Sequence, residues 1–131
     1  MKKIKTIAII DDDDVFQYTA KKTIAATEIE NKIVSFQNGQ DAIEYFTKNI
    51  NKIEALPDLV FLDLNMPIID GWQFLEQYEI IRKEIKKEIT IYVTSSSKNP
   101  DDLIQAKNIS LVSDYIVKPL TFEKFRKLLV D

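Results

Sequence analysis

Residues Leu59-Val60-Phe61-Leu62 are apolar without a break and end in a single carboxylate, Asp63. A strand with one face in water alternates apolar and polar residues. An unbroken run needs cover on both faces, which is the situation of a central strand in a parallel sheet. The run is introduced by Pro57-Asp58 and closed by Leu64-Asn65-Met66-Pro67 and Asp70-Gly71, so chain direction changes on either side of it. In open α/β sheets the C-terminal strand ends form the ligand-binding edge. Asp63 stands at that edge.

The rest of the chain supplies the cover. Thr6 to Ile10, Lys32 to Phe36, Thr90 to Val93 and Tyr115 to Val117 are further short, β-rich runs. Between them lie segments with helical spacing. Asp14 to Thr27 carries Val15, Tyr18 and Ala25, and Gln40 to Lys48 carries Ala42, Ile43, Tyr45 and Phe46. A third begins near Asp70 with Trp72, Phe74, Leu75, Tyr78 and Ile81 apolar; Trp72, Phe74 and Leu75 read as core, with no cofactor box. Asn99-Pro100-Asp101-Asp102 is a helix start: an Asn cap, Pro at the first position, then acids facing the dipole, with the helix running to about Lys107. Thr121 caps a last helix bearing Phe122, Phe125, Leu128 and Leu129. The pattern is (βα) repeated five times, which predicts a parallel sheet with helices on both faces. The 131 residues make one domain, 1–131, with no linker or repeat. Both ends are used by the fold, so no tethered output domain is expected.

Composition removes whole classes of chemistry. Cys is absent, which excludes disulfides and thiolate catalysis, and His is absent, which excludes imidazole as base, nucleophile or ligand. Any metal must be held by oxygen, which favours Mg2+, Mn2+ or Ca2+ over Zn2+. Net charge is −3 with no basic block, so no nucleic-acid footprint is present. The apolar stretch near Met1 is too short for a signal peptide and runs straight into four aspartates; no segment approaches membrane-spanning length. A cytoplasmic chain without membrane partners is expected.

In a parallel sheet the strand ends lie on one edge. Asp11 to Asp14 follow strand one, Asp63 ends strand three, Thr94 follows strand four, and strand five leads to Lys118. Three carboxylates, a hydroxyl and an ammonium would meet there. Clustered carboxylates do not ionise together without a cation, and Mg2+ resolves the repulsion while keeping waters. A metal beside Asp63 would bridge it to a phosphoryl oxygen, and Thr94 and Lys118 would hold the other oxygens. Asp63 is then a nucleophile that forms an acyl phosphate.

Ile9-Ile10-Asp11-Asp12, Leu62-Asp63-Leu64-Asn65-Met66-Pro67 with Asp70-Gly71, Tyr92-Val93-Thr94-Ser95 and Asp114-Tyr115-Ile116-Val117-Lys118-Pro119 fall in the order and spacing of one family. Over essentially its whole length the chain resembles a receiver domain of two-component response regulators, of the stand-alone chemotaxis-regulator type. The resemblance implies a flavodoxin-like doubly wound (βα)5 sandwich with a five-stranded parallel sheet of order 2-1-3-4-5. It implies that Asp63 accepts a phosphoryl group from the phosphohistidine of a sensor histidine kinase or phosphotransfer protein. Mg2+ would be held by Asp12 directly, by Asp11 largely through water, by Asp63, and by the backbone carbonyl of Asn65. Thr94 and Lys118 would bind the phosphoryl oxygens, and Tyr115 would turn inward as Thr94 moves. The Lys118–Pro119 bond would be cis, aiming the Lys. Output would pass through the fourth helix, fifth strand and fifth helix to an unnamed protein target. The chain would be a phosphoacceptor assisting its own phosphorylation and dephosphorylation, not an enzyme. Ser95 departs from the family's usual Ala or Gly but is still small. Ser96 and Asn65 occupy the positions that tune attack of water on the acyl phosphate.

Other readings compete. Asp11-x-Asp13-x-Val15 after an apolar strand also resembles the nucleophile motif of haloacid-dehalogenase-type phosphatases, with Asp11 as nucleophile; a cap and a later acidic motif are missing, and Asp63 would be idle. An EF-hand fails at Phe16, where Gly is needed, and at the missing twelfth acid. A phosphorylation-independent interaction module would leave the full site set without a role. Asp13 is expected to be simply solvated.

Overall fold

In the computed structural model, residues 5–66, 68–96 and 99–130 are described. Pro67 of the motif after Asp63, and Met1 to Ile4 before the first strand, lie outside the described residues. The elements are β1 (Lys5–Ile10), α1 (Asp14–Ala26), β2 (Asn31–Phe36), α2 (Gly39–Lys48), β3 (Leu59–Asp63), α3 (Gly71–Ile81), β4 (Thr90–Ser95), α4 (Pro100–Lys107), β5 (Val112–Val117) and α5 (Phe122–Val130). All neighbouring strands are parallel and the sheet order is β2-β1-β3-β4-β5. This is the predicted (βα)5 sandwich.

Strand alternation divides the core into two layers. Ile7, Ile9, Leu59, Phe61 and Ile116 face one way and pack with Phe16, Ala20 and Ile24 of α1 and Phe125 and Leu129 of α5. Ala8, Ile10, Val60, Leu62, Ile91 and Val93 face the other way and meet Ala42 and Phe46 of α2, Phe74 and Tyr78 of α3 and Ala106 of α4. Phe46 anchors the second layer, edge-on to Phe74 and Tyr78 at centroid distances of 5.9 and 6.2 Å. Every residue of β3 is buried, as its unbroken apolar run requires.

Three expectations need correction. Val15 and Tyr18, read as apolar positions of α1, are 71% and 61% exposed, and Ala25 is exposed too. The buried stripe of α1 is Phe16, Gln17, Ala20 and Ile24. A polar Gln on that stripe hid the true helix face. Second, β5 begins at Val112, three residues before the predicted start. It is an edge strand, so Ser113 can be exposed within it, and the criterion of a continuous apolar run misses such a segment. Third, Asp13 does more than sit in solvent: its Oδ1 accepts from the N–H groups of Val15 and Phe16 as the N-cap of α1.

The remaining caps match their sequence signals. Asn99 caps α4 with Pro100 next and Asp101 and Asp102 in the first turn. Thr121 Oγ1 accepts from the N–H of Lys124 at the start of α5. Asp70 and Gln73 form a reciprocal capping box at α3.

Candidate functional site

Alternation along the strands decides which side chains meet. Residues two apart share a face, so Asp11 continues the line of Ile7 and Ile9, and Asp63 that of Leu59 and Phe61. Thr94 continues the line of Tyr92, and Lys118 that of Ile116. All four therefore emerge on the face covered by α1 and α5. Asp63 and Thr94 are register partners across β3 and β4, side by side at the strand ends.

The carboxylates and the ammonium form a tight group. Carboxylate oxygens of Asp11, Asp12 and Asp63 lie within 4.8 Å of one another. Lys118 Nζ donates to Asp11 Oδ2 at 2.7 Å and lies 3.6 Å from Asp63 Oδ1. Asp11 and Asp63 are buried, at 0% and 5% exposure, while Asp12 is exposed. Asp11 Oδ1 also accepts from the N–H of Asp13, and Asp63 Oδ1 from that of Asn65 at 3.4 Å. Burial, and then the neighbouring charge of Asp11, pushes the Asp63 carboxyl from its ordinary 3.8 up to about 6, against the pull of Lys118. Burial raises Asp11 as well, beyond what Lys118 and the Asp13 N–H return. One ammonium does not compensate three acids, and a hard divalent cation would make up the difference.

Thr94 supplies a second vacancy in the bonding. It is fully buried, and its Oγ1 has no hydrogen-bond partner among the described residues. A buried hydroxyl without a partner costs about 1–3 kcal/mol, so it is a donor waiting for an acceptor beside Asp63. An all-oxygen set of carboxylates fits a hard divalent cation, and Thr94 with Lys118 fits the oxygens of a tetrahedral anion.

Local sequence explains the geometry. α3 starts so close to β3 that a Cβ on Gly71 would sit 2.6 Å from the backbone oxygen of Asp63 and 2.8 Å from Leu64 Cα. The Gly71 N–H donates to Leu64 O at 3.0 Å, pinning the loop after Asp63. The N–H of Lys118 donates to Ser95 O, tying the end of β5 to β4. The Lys118–Pro119 bond is cis, as the resemblance implied. Tyr115 lies on the opposite sheet face, buried in the layer that includes Val93. Its side chain is therefore already inward. Sequence reasoning missed Phe16, whose ring lies 4.4 Å from Lys118 Nζ and restrains the ammonium by a cation–π contact. An aromatic four residues after an acidic pair carried no signal of this.

The chain belongs to the response regulator receiver domain family, which matches it over residues 7–130. That family defines phosphoacceptor signalling domains of two-component systems. Among curated relatives, a probable methanogenesis regulatory protein, FilR2, of Methanothrix harundinacea is 28% identical over 92% of this chain and 76% of its own length. A probable C4-dicarboxylate response regulator, DctR, of Bacillus subtilis is 30% identical over 94% of this chain, which spans half of that protein. A solved two-component response regulator from Cytophaga hutchinsonii is 28% identical and superposes with a TM-score of 0.87, covering 98% of this chain and 96% of its own. Among the described residues no helix is long and apolar enough to cross a membrane.

Proposed function

We propose that this chain is a cytoplasmic phosphoacceptor switch in which Asp63 takes a phosphoryl group from the phosphohistidine of a sensor kinase or phosphotransfer protein. The observation that carries this is the convergence of Asp11, Asp12 and Asp63 within 4.8 Å, with Lys118 against two of them. Mg2+ held by Asp11, Asp12, Asp63 and the Asn65 carbonyl would neutralise the acids and the incoming phosphoryl charge. An Asp63 oxygen attacks phosphorus as the P–N bond to the donor imidazole breaks, and the electron pair leaves with that nitrogen, which takes up a proton. Lys118 and the Thr94 hydroxyl then hold two phosphoryl oxygens; for Lys118 this means exchanging part of its bond to Asp11.

The switch follows from the orphan on Thr94. A phosphoryl oxygen gives its Oγ1 an acceptor available only in the modified state, which is the differential contact a population shift requires. The change at Thr94 is read by a protein target on the surface of α4, β5 and α5; Tyr115, already buried on the other sheet face, needs no inward turn. The chain assists its own phosphorylation and dephosphorylation and does not turn over a separate substrate. The phosphatase reading built on Asp11 has less support: Asp13, its second acid, is committed to the α1 cap.

Beryllofluoride, a mimic of the acyl phosphate, tests the site as a whole. Fluorine NMR is expected to show a bound species only when Mg2+ is present, lost in Asp63→Asn and weakened in Thr94→Ala. Binding that persists in Asp63→Asn would contradict the assignment, and its absence from the unsubstituted protein would favour a phosphorylation-independent module.

A further inference from the structure

Gln17 is buried on the apolar face of α1, at 6% exposure, among Phe16, Ala20 and Ile24. Its Nε2 lies 3.1 Å from each of three backbone oxygens: Ile9 O, Asp11 O and Phe36 O. Its Oε1 has no partner among the described residues. Three converging acceptors fix the amide orientation, because a flipped side chain would set an oxygen against three oxygens. A side chain of the same length without polar atoms would fill this space and leave no orphaned oxygen. What the amide adds is its donor group, delivered to the ends of β1 and β2.

Those ends carry the acids. β1 stops at Ile10, and the Asp11 N–H makes the last backbone bond of that strand end to β2. The N–H of Asp11 donates to Phe36 O, the oxygen that also accepts from Gln17. The carbonyl of Asp11 belongs to the planar unit that continues into the nitrogen of Asp12. Gripping that oxygen sets the peptide plane, and with it the direction in which the exposed Asp12 leaves the sheet. Asp11 has its side chain held by Lys118 and the Asp13 N–H. Among the described residues no side-chain bond of that kind is seen for Asp12, whose aim depends on the backbone before it.

We infer that Gln17 is a positioning residue for the metal site: its buried amide locks the Asp11–Asp12 peptide so that both carboxylates face Asp63. The inference rests on the reading of Asp11, Asp12 and Asp63 as a divalent-cation site. Residues that orient metal ligands from behind typically contribute 10- to 100-fold in affinity.

The test is a calorimetric Mg2+ titration of the full chain, run on the unsubstituted protein, Gln17→Met and Ile91→Ala. Ile91 lies in the other core layer at the N-terminal end of β4, away from the strand ends that carry the acids, and Ile91→Ala serves as the control for stability. Gln17→Met is expected to bind Mg2+ at least about tenfold more weakly, with Ile91→Ala unchanged. Amide hydrogen exchange at Asp11 and Asp13, measured without metal, is expected to accelerate in Gln17→Met only. If Gln17→Met does not fold, Gln17→Asn, too short to reach all three oxygens, enters the same titration with the same expectation. Unchanged affinity in the Gln17 variant, or an equal fall in both variants, would overturn the positioning role. Failure of the unsubstituted protein to bind Mg2+ would overturn the metal reading and this inference with it.

Discussion

At the scale of single residues the site is held in tension. Asp63 is a carboxylate kept out of water beside a second buried carboxylate, with its carboxyl pushed up to about 6. A group that binds its proton more tightly folded than unfolded favours the folded state while protonated. Its contribution is full below the ordinary value of 3.8 and is lost as pH rises through 6. Metal-free protein should therefore lose up to about 3 kcal/mol of stability between pH 4 and pH 7 from this residue. Asp63→Asn removes that loss, so the metal-free variant is expected to be more stable than the unsubstituted protein at pH 7 and closer to it at pH 4. Urea denaturation at the two pH values measures this; equal stability at pH 7 would show that the buried charge is already compensated. Mg2+ should narrow the gap. The same residue scale shows what a sequence carries and what it hides. Asp11, Asp63, Thr94 and Lys118 were legible because period-two alternation and strand ends fix their direction. Phe16 and Gln17 were not, because their roles depend on where α1 lands. Ile68 adopts φ 69, a left-handed backbone that a β-branched residue does not announce.

At the scale of elements, the start of α3 is held close against the end of β3. Gly71 lets the first turn of α3 press against the backbone of Asp63 and Leu64. Gly71→Ala forces a Cβ into that contact, and overpacking of this kind costs about 1–3 kcal/mol. The variant is expected to lose stability by that amount in urea and to take up beryllofluoride more weakly, because the displaced atoms belong to Asp63 itself. A purely thermodynamic loss with unchanged beryllofluoride binding would mean that α3 yields and the strand end stays put. Element existence was readable throughout from apolar runs, caps and turn residues. Two element details were not. The buried side of α1 was not legible, because a Gln interrupts its apolar stripe while Val15 and Tyr18 decorate the exposed side. The start of β5 was misplaced because an edge strand need not be apolar.

At the scale of the whole molecule, a doubly wound sheet brings residues from positions 11, 63, 94 and 118 to one edge, with α1 behind the acids and the loop to α3 beside them. The sheet order was readable through the resemblance of four spaced motifs, while the alternation of strands and helices alone would have allowed other parallel orders. The family match across residues 7–130 agrees with that reading. On the proposed function, this edge serves the phosphorylation of Asp63. Intact-mass spectrometry after incubation with acetyl phosphate and Mg2+ tests it most directly. The protein is expected to gain the mass of one phosphoryl group, to lose that gain when Mg2+ is chelated beforehand, and to show none in Asp63→Asn; unchanged labelling in Asp63→Asn would contradict the account.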